Sequence, residues 1–204
     1  MSPLSPSSVR PMPLEPLVPV FDLDGTLLDS DAALIAPFLS LGLTREELSF
    51  GSLLAEECER LGIDVDAYLD RYDTNAAPAF PGTDELVQSL DRWALCSNKL
   101  GHYGRAELER LGWHPELALF ADAFDGPKRL GPVLERLGLT GGDIIFVGDT
   151  AHDRACAAEV GAPFALAGWN ERTVAETGDL VLRHPAELLG LIHRDGFEGV
   201  RLAI

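Results

Sequence analysis

Lysine is nearly missing from this sequence: Lys99 and Lys128 are the only two among 16 basic residues. Where a chain otherwise uses arginine, a lysine can mark a place that needs a compact point charge. Cysteine is scarce too, and Cys58, Cys96 and Cys156 are odd in number and widely scattered. That excludes a disulfide framework and any C-x-x-C metal site, and it points to a reducing compartment. No apolar run reaches the roughly 18 residues that mark a bilayer-spanning helix, so such a helix is excluded. Positive charge is short overall, with 33 acidic residues against 16 basic ones and a formal net charge of −17. A field of that sign repels nucleic-acid backbones and anionic membranes, so an anionic ligand must be small and held by local cations.

What the chain does have is 204 residues, 46% of them hydrophobic and 24% charged. That suffices for one domain with a modest insertion and a core needing neither disulfide nor structural metal. Residues 1–16 are expected to be a disordered leader, because Pro3, Pro6, Pro11, Pro13 and Pro16 interleave with serines and deny regular hydrogen bonding. The leader lacks the continuous apolar core of a secretory signal and the arginines of a transit peptide. The expected location is therefore cytoplasmic.

Order begins with an apolar run at 17–21 that stops at Asp22-Leu23-Asp24-Gly25-Thr26. Residues 30–73 read as helical: an apolar stretch at 32–41, a segment to about residue 61 opened by the capping box Thr44-Arg45-Glu46-Glu47, and a short helix at 64–72. Residues 74–82 hold Asn75, Pro78, Pro81 and Gly82 and read as a linker. Beyond it the grammar alternates. Helices are expected at 84–90, 105–111, 130–137, 151–160 and 186–192, and apolar strand segments at 93–96, 117–124, 143–148, 163–167 and 179–182. Strands separated by helices require right-handed crossovers and a parallel sheet covered on both faces. The expected fold is α/β, a doubly wound parallel sheet with a small all-helical cap inserted after the first strand. Its core would comprise residues 17–29 and 80–204, with cap and linker at 30–79.

In such a sheet, ligands sit at the carboxyl ends of the strands. Those ends carry Asp22 and Asp24 ahead of Gly25, Ser97-Asn98-Lys99, Asp125-Gly126-Pro127-Lys128, and Gly148-Asp149-Thr150 with Asp153 one turn on. Each piece alone has a plainer account. Asp-Gly makes turns, Ser-Asn caps helices, a lysine can be a solvated charge, and Thr150 can be an N-cap. Capping alone does not explain their conjunction at successive strand ends. Gathered at one edge, the carboxylates raise each other's pKa values, and a hard divalent cation resolves the repulsion. Carboxylate and carbonyl oxygens suit Mg²⁺, which keeps several waters and accepts a substrate phosphate as ligand. Ser97, Asn98 and Lys128, with backbone N–H groups of Leu23 and Gly25, would then meet the phosphoryl oxygens.

Phe21-Asp22-Leu23-Asp24-Gly25-Thr26-Leu27, followed by Asp29-Ser30, resembles the first motif of the haloacid dehalogenase superfamily. Cys96-Ser97-Asn98-Lys99, Lys128 and Val147-Gly148-Asp149-Thr150-Ala151-His152-Asp153 resemble its second, third and fourth motifs. The helical insertion is similar to the cap of the phosphoglycolate-phosphatase-like branch, though compact for that cap type. The resemblance implies a Rossmann-like core and a phosphatase acting on a small phosphorylated metabolite, phosphoglycolate-like or a sugar phosphate. It implies Asp22 as nucleophile, Asp24 as general acid and base, and Mg²⁺ held by Asp22, the main-chain carbonyl of Asp24 and Asp149, with Asp153 nearby.

Other chemistries fit less well. Dehalogenation needs neither a second acid nor a metal, yet Asp24 and Asp149 are both present. Phosphonate cleavage through a Schiff base needs a cap lysine, and none precedes Lys99. A phosphomutase using the same intermediate, or a non-catalytic phosphate-binding protein of the same fold, remains an alternative. No nucleic-acid or membrane partner is expected, and the protein is expected to be a monomer or homodimer. His152 is expected to be exposed, Trp93, Trp113 and Trp169 to pack, and Cys96 to act as a small buried hydrophobe. Arg45, Arg60 and Arg71 are cap cations that could bind a second substrate anion, but are expected on solvated helix faces.

Overall fold

A computed structural model describes residues 16–49 and 53–192. The expected leader lies outside these residues apart from Pro16, as does the end of the expected core, 193–204. Val18–Phe21 (β1) is buried at every position, as a central strand of a parallel sheet must be. It is followed by Ala94–Cys96 (β2), Leu117–Leu119 (β3), Ile144–Gly148 (β4), Phe164–Ala167 (β5) and Leu180–Leu182 (β6). They form a six-stranded sheet in the order β3-β2-β1-β4-β5-β6. Every pairing is parallel, with Phe21 opposite Leu95 on one side and Val147 on the other. The order reverses direction at β1, so the crevice at its carboxyl end is where ligands bind in folds of this class.

Helices cover both faces. Thr83–Ser89 (α4) and Gly101–Leu111 (α5) contribute Leu86, Val87 and Leu108 to a cluster with Phe21, Leu95, Ile145 and Val147. Gly131–Leu137 (α6) and Ala151–Glu159 (α7) put Val133, Leu134, Cys156 and Ala157 against Val20, Ala94, Cys96 and Phe146. This is the doubly wound α/β architecture expected from the alternating pattern. Trp93 and Trp113 are buried and Trp169 packs against the first cluster, as expected. Cys96 is fully buried.

Between β1 and α4 the chain is helical: Asp31–Ser40 (α1), Leu54–Leu61 (α2) and Val65–Leu69 (α3). These helices gather a small cluster of their own around Phe38, Cys58 and Tyr68. The passages into and out of this insertion lie side by side. Leu28 bridges antiparallel to Ala79, Asp29 N–H donates to Pro78 O at 2.9 Å, and Phe80 N–H to Leu27 O at 3.0 Å.

Local departures from the sequence reading have physical causes. The Thr44–Glu47 capping box forms, but it closes only a 3₁₀ turn, Arg45–Glu47. Leu48 and Leu53 are extended, so α2 is a separate helix. Helix α5 starts four residues before the expected 105 because it absorbs Gly101 and Gly104, which pattern reading treats as breakers. Gly104 is there for close approach, since a Cβ would collide with the Phe120 ring. The segment 117–124 is strand only to Leu119 and then a 3₁₀ turn, Ala121–Ala123. The last expected helix is a 3₁₀ turn, Pro185–Leu188, leading into the short helix Leu189–Ile192 (α8).

Candidate active site

Strands β1, β2 and β4 deliver their following loops to one edge. Asp22 extends the ladder by one bond, its N–H donating to Val147 O at 2.9 Å. The chain then turns sharply, with Leu23 O accepting from Leu27 and Leu28 N–H at 3.0 and 2.9 Å. Gly25 serves this turn twice. Its φ of +80° is unfavourable for other residues, and a Cβ there would collide with the Asp149 carboxylate.

Lys128 is buried at the centre of the site. Its Nζ lies 2.6 Å from Asp22 Oδ1 and 2.7 Å from Asp153 Oδ1. The loop carrying it is tied down on both sides: Lys128 N–H donates to Asn98 Oδ1 at 2.7 Å, and Cys156 Sγ contacts Lys128 O at 3.3 Å. Asp153 is positioned by the start of α7. Thr150 donates from N at 3.0 Å and from Oγ1 at 2.6 Å to Asp153 Oδ2, leaving Oδ1 for the lysine. The capping account of Gly148-Asp149-Thr150 therefore holds, and the same cap turns Asp153 Oδ1 toward Lys128. Asp149 accepts from Thr26 Oγ1 at 3.4 Å and Asn170 Nδ2 at 3.3 Å, and Arg172 Nη2 stands 3.8 Å away.

Carboxylate oxygens of Asp22, Asp149 and Asp153 lie within 4.8 Å of one another. Burial pushes Asp22 up to about 6, with Lys128 opposing and Asp153 adding to the rise. Asp149 is pushed up to about 8, by burial first and then by the charges of Asp22 and Asp153. Asp153 goes the other way: burial would raise it, but Lys128 and the Thr150 hydrogen bonds hold it low. Burial alone would lower Lys128, and Asp153 and Asp22 outweigh that and raise it. One buried ammonium, with the Arg172 guanidinium 3.8 Å from Asp149, thus serves a group of three carboxyls. An all-oxygen donor set short of positive charge fits a hard divalent cation.

Asp24 faces a different partner. Its Oδ1 is 2.7 Å from Lys99 Nζ, which is also 2.9 Å from Glu107 Oε2 and donates to the Tyr72 hydroxyl at 2.7 Å. Tyr72 in turn donates to Glu107 Oε1 at 2.7 Å. Lys99 and Glu107 are buried, so the network is shielded from water.

No family model matches the chain. It is 27% identical over 209 residues to the phosphoglycolate phosphatase of Xanthomonas campestris pv. campestris, spanning 85% of this chain and 95% of that protein. It is 24% identical over 213 residues to the N-acetylmuramic acid 6-phosphate phosphatase of Pseudomonas aeruginosa, spanning 86% and 94%. Among solved structures it is similar to a haloacid dehalogenase-like family hydrolase from Streptococcus pneumoniae, with TM-score 0.68, 19% identity, and 86% and 98% of the two chains covered. The chain is thus similar in sequence to phosphatases and shares the fold of haloacid dehalogenase-like hydrolases. Another fold match is an L-2-haloacid dehalogenase, with TM-score 0.62, 17% identity, and 88% and 98% of the two chains covered. The shared fold therefore does not select the reaction, and the side chains must.

In this chain, Asp22, Lys128, Asp149 and Asp153 come together, and Ser97 and Asn98 line the same cleft. Two expectations need correction. Gly25 N–H is not open to a phosphate, because it donates to Leu28 O at 2.8 Å within the turn. The Asp24 carboxylate is not among the clustered oxygens, because Lys99 holds it aside. His152 is also not the exposed residue expected: it is half-buried and lines the cleft, with Nε2 3.6 Å from Cys156 Sγ. Lys99, Tyr72, Glu107, Asn170 and Arg172 went unassigned in the sequence reading. Only Lys99 carried a signal, as one of two lysines.

Proposed function

We propose that the protein is a Mg²⁺-dependent hydrolase of small phosphomonoesters that works through an aspartyl-phosphate on Asp22. The observation that carries this reading is Lys128, buried between Asp22 and Asp153 with Asp149 alongside. Dehalogenation gives no reason to build a carboxyl cluster short of positive charge, whereas phosphoryl transfer needs that arrangement.

A carboxylate oxygen of Asp22 bonds to phosphorus as the ester P–O bond breaks, and Asp24 gives a proton to the departing oxygen. Asp24 then takes a proton from water, whose oxygen bonds to phosphorus as the bond to Asp22 breaks. Inorganic phosphate leaves and the Asp22 carboxylate is restored. Lys128, the Ser97 hydroxyl, the Asn98 amide and the Leu23 N–H meet the phosphoryl oxygens, and Lys128 also fixes one oxygen of Asp22. Asp22, Asp149 and the main-chain carbonyl of Asp24 would hold Mg²⁺, backed by Asp153, and its charge would neutralise the transferring group. The helical insertion at 30–79 serves as a cap that closes over this chemistry and excludes water. The protein works in the cytoplasm on a soluble phosphorylated metabolite.

The reading is tested by phosphate release from p-nitrophenyl phosphate with EDTA, and again after Mg²⁺ is restored. Release should vanish and return. Asp22→Asn should keep the fold by circular dichroism and retain less than a few per cent of the activity. Acid-quenched turnover should show phosphate mass on the peptide containing Asp22. Metal-independent release, or substantial activity in Asp22→Asn, would overturn the assignment.

A further inference from the structure

The cleft above Asp22 has two unlike halves. The sheet side carries the charges already described. The side supplied by the insertion is apolar, formed by Leu34, Phe38, Leu54 and Leu69, with Tyr72 and Tyr103 at the join. Both tyrosine hydroxyls are committed, Tyr72 to Glu107 at 2.7 Å and Tyr103 to Leu69 O at 3.0 Å. The insertion's one carboxylate on this wall, Glu57, is bonded to Ser49 N and Oγ at 2.7 Å and to Arg60 Nε at 2.8 Å. Arg60 hydrogen bonding, with Ser49 assisting against burial, holds Glu57 down at about 2, so it is an anion.

Among the described residues, the cations lining the cleft are Lys99, Lys128 and Arg172. Each is ion-paired: Lys99 with Asp24 and Glu107, Lys128 with Asp22 and Asp153, Arg172 with Asp31 and Asp149. Arg45, Arg60 and Arg71, the cations that could have received a second substrate anion, do not line it. Among the described residues lining the cleft, the fully buried Ser30 hydroxyl stands without a hydrogen-bond partner. A lone hydroxyl can satisfy one neutral oxygen, but not a desolvated carboxylate.

We propose that the cleft selects phosphomonoesters whose leaving group is small, uncharged and predominantly apolar, and that it rejects leaving groups bearing a carboxylate. This rests on reading the site as a phosphomonoester hydrolase. A carboxylate seated here would be stripped of water against leucine and aromatic surface and, among the described residues, would meet no uncommitted cation on the wall. An apolar group gains by the same burial. The cavity measures about 160 Å³. A dry cavity of roughly 150 Å³ lined by Leu, Ile and Phe holds a benzene, so a leaving group of about one ring is what this cleft, phosphoryl end included, can enclose. Phosphoglycolate, named for one relative, carries a carboxylate where this cleft is apolar.

The test compares kcat/KM for benzyl phosphate and 4-carboxybenzyl phosphate in Mg²⁺. The two share a benzylic leaving oxygen and differ in one remote charge. Benzyl phosphate should be favoured at least about tenfold. Leu69→Arg puts a guanidinium on the apolar wall and should shrink that ratio by about tenfold, mainly through KM for the carboxylated ester. Equal rates, or a preference for the carboxylated ester, would overturn the inference and leave the hydrolase reading intact. So would hydrolysis of p-nitrophenyl phosphate with neither benzyl ester turned over. No release from any of the three overturns the hydrolase reading and the inference with it. If Leu69→Arg does not fold, the ratio in the unsubstituted protein decides.

Discussion

Lys99 Nζ lies 2.7 Å from Asp24 Oδ1. It ties the proposed acid–base group to Glu107 on α5 and to Tyr72 on the insertion side. Removing Lys99 alone would leave Glu107 as an uncompensated buried charge, which costs about 3–5 kcal/mol. The informative variant is therefore Lys99→Met with Glu107→Gln, which removes the ammonium without orphaning the fully buried Glu107, while the partly exposed Asp24 loses its cation. If Lys99 positions Asp24 for proton transfer, the double variant should lose at least about tenfold in kcat/KM, which reports transfer to Asp22, for an alkyl phosphate, whose leaving oxygen needs a proton. It should lose much less for p-nitrophenyl phosphate, whose leaving group departs unprotonated. Stopped assays on the two esters decide it. Equal losses would assign Lys99 to structure alone.

Much of this site was legible in the sequence because strand ends in an α/β fold are predictable and chemically distinctive residues occupy them. Asp22, Asp149 and Lys128 needed only the order of the elements to be placed together. Glu107 and Tyr72 could not be found this way. Each sits in an ordinary amphipathic context, and their meeting at 2.7 Å depends on how the insertion docks on α5. Gly104 is a like case within the core, its missing Cβ admitting Phe120 from the end of β3. Close approach is a tertiary fact with no local signature. The capping box at Thr44 is the converse case, a correct local signal that did not reveal how short the turn behind it is.

Metal-free protein should weaken as the pH rises. Asp22 and Asp149 titrate near 6 and 8 in the folded state, against an ordinary value of 3.8. The folded state therefore binds more protons than the unfolded state across that interval, and stability falls with increasing pH. The contribution is fully present below pH 3.8 and is lost as the pH passes through about 8. Asp149→Asn removes the larger liability, so in EDTA the variant should melt above the unsubstituted protein at pH 8 and converge with it near pH 4. Added Mg²⁺ should reverse the order at pH 8, because only the unsubstituted protein keeps the full ligand set. Melting curves in which the gap does not change with pH would contradict the cluster as a store of unneutralised charge.

Gly25→Ala tests the turn that aims Asp22 and Asp24. Alanine would have to accept φ of +80° and push its Cβ into the Asp149 carboxylate. The backbone strain alone costs about 1–2 kcal/mol. Moving Asp149 should also weaken Mg²⁺, so the concentration giving half-maximal activity should rise together with the loss of stability. Denaturant unfolding measures the first effect and Mg²⁺ titration of turnover the second. A variant that loses stability but keeps its Mg²⁺ dependence would show that Asp149 can move without consequence.

The cap reading can be separated from the chemistry by restraining the insertion. The chain enters at Leu28 and returns at Ala79 as a paired, two-strand crossing, a narrow joint about which the helices can turn. Across the cleft, Tyr103 on α5 donates to Leu69 O on α3 at 3.0 Å, and the Tyr72 and Tyr103 rings meet edge to face at 5.0 Å. A substrate with a bulky leaving group has to part these contacts to enter. Asp70 and His102 are exposed on either side of them, while Cys58, Cys96 and Cys156 are all buried. Asp70→Cys with His102→Cys, bridged by a bismaleimide, would therefore hold the insertion down at one defined place. We expect the bridge to lower turnover of benzyl phosphate at least about tenfold while sparing acetyl phosphate, which needs little opening to reach Asp22. Cleaving a reducible version of the bridge should restore the benzyl ester. Equal loss for both substrates, with circular dichroism unchanged, would mean that the insertion is a fixed wall whose position is set once, on folding.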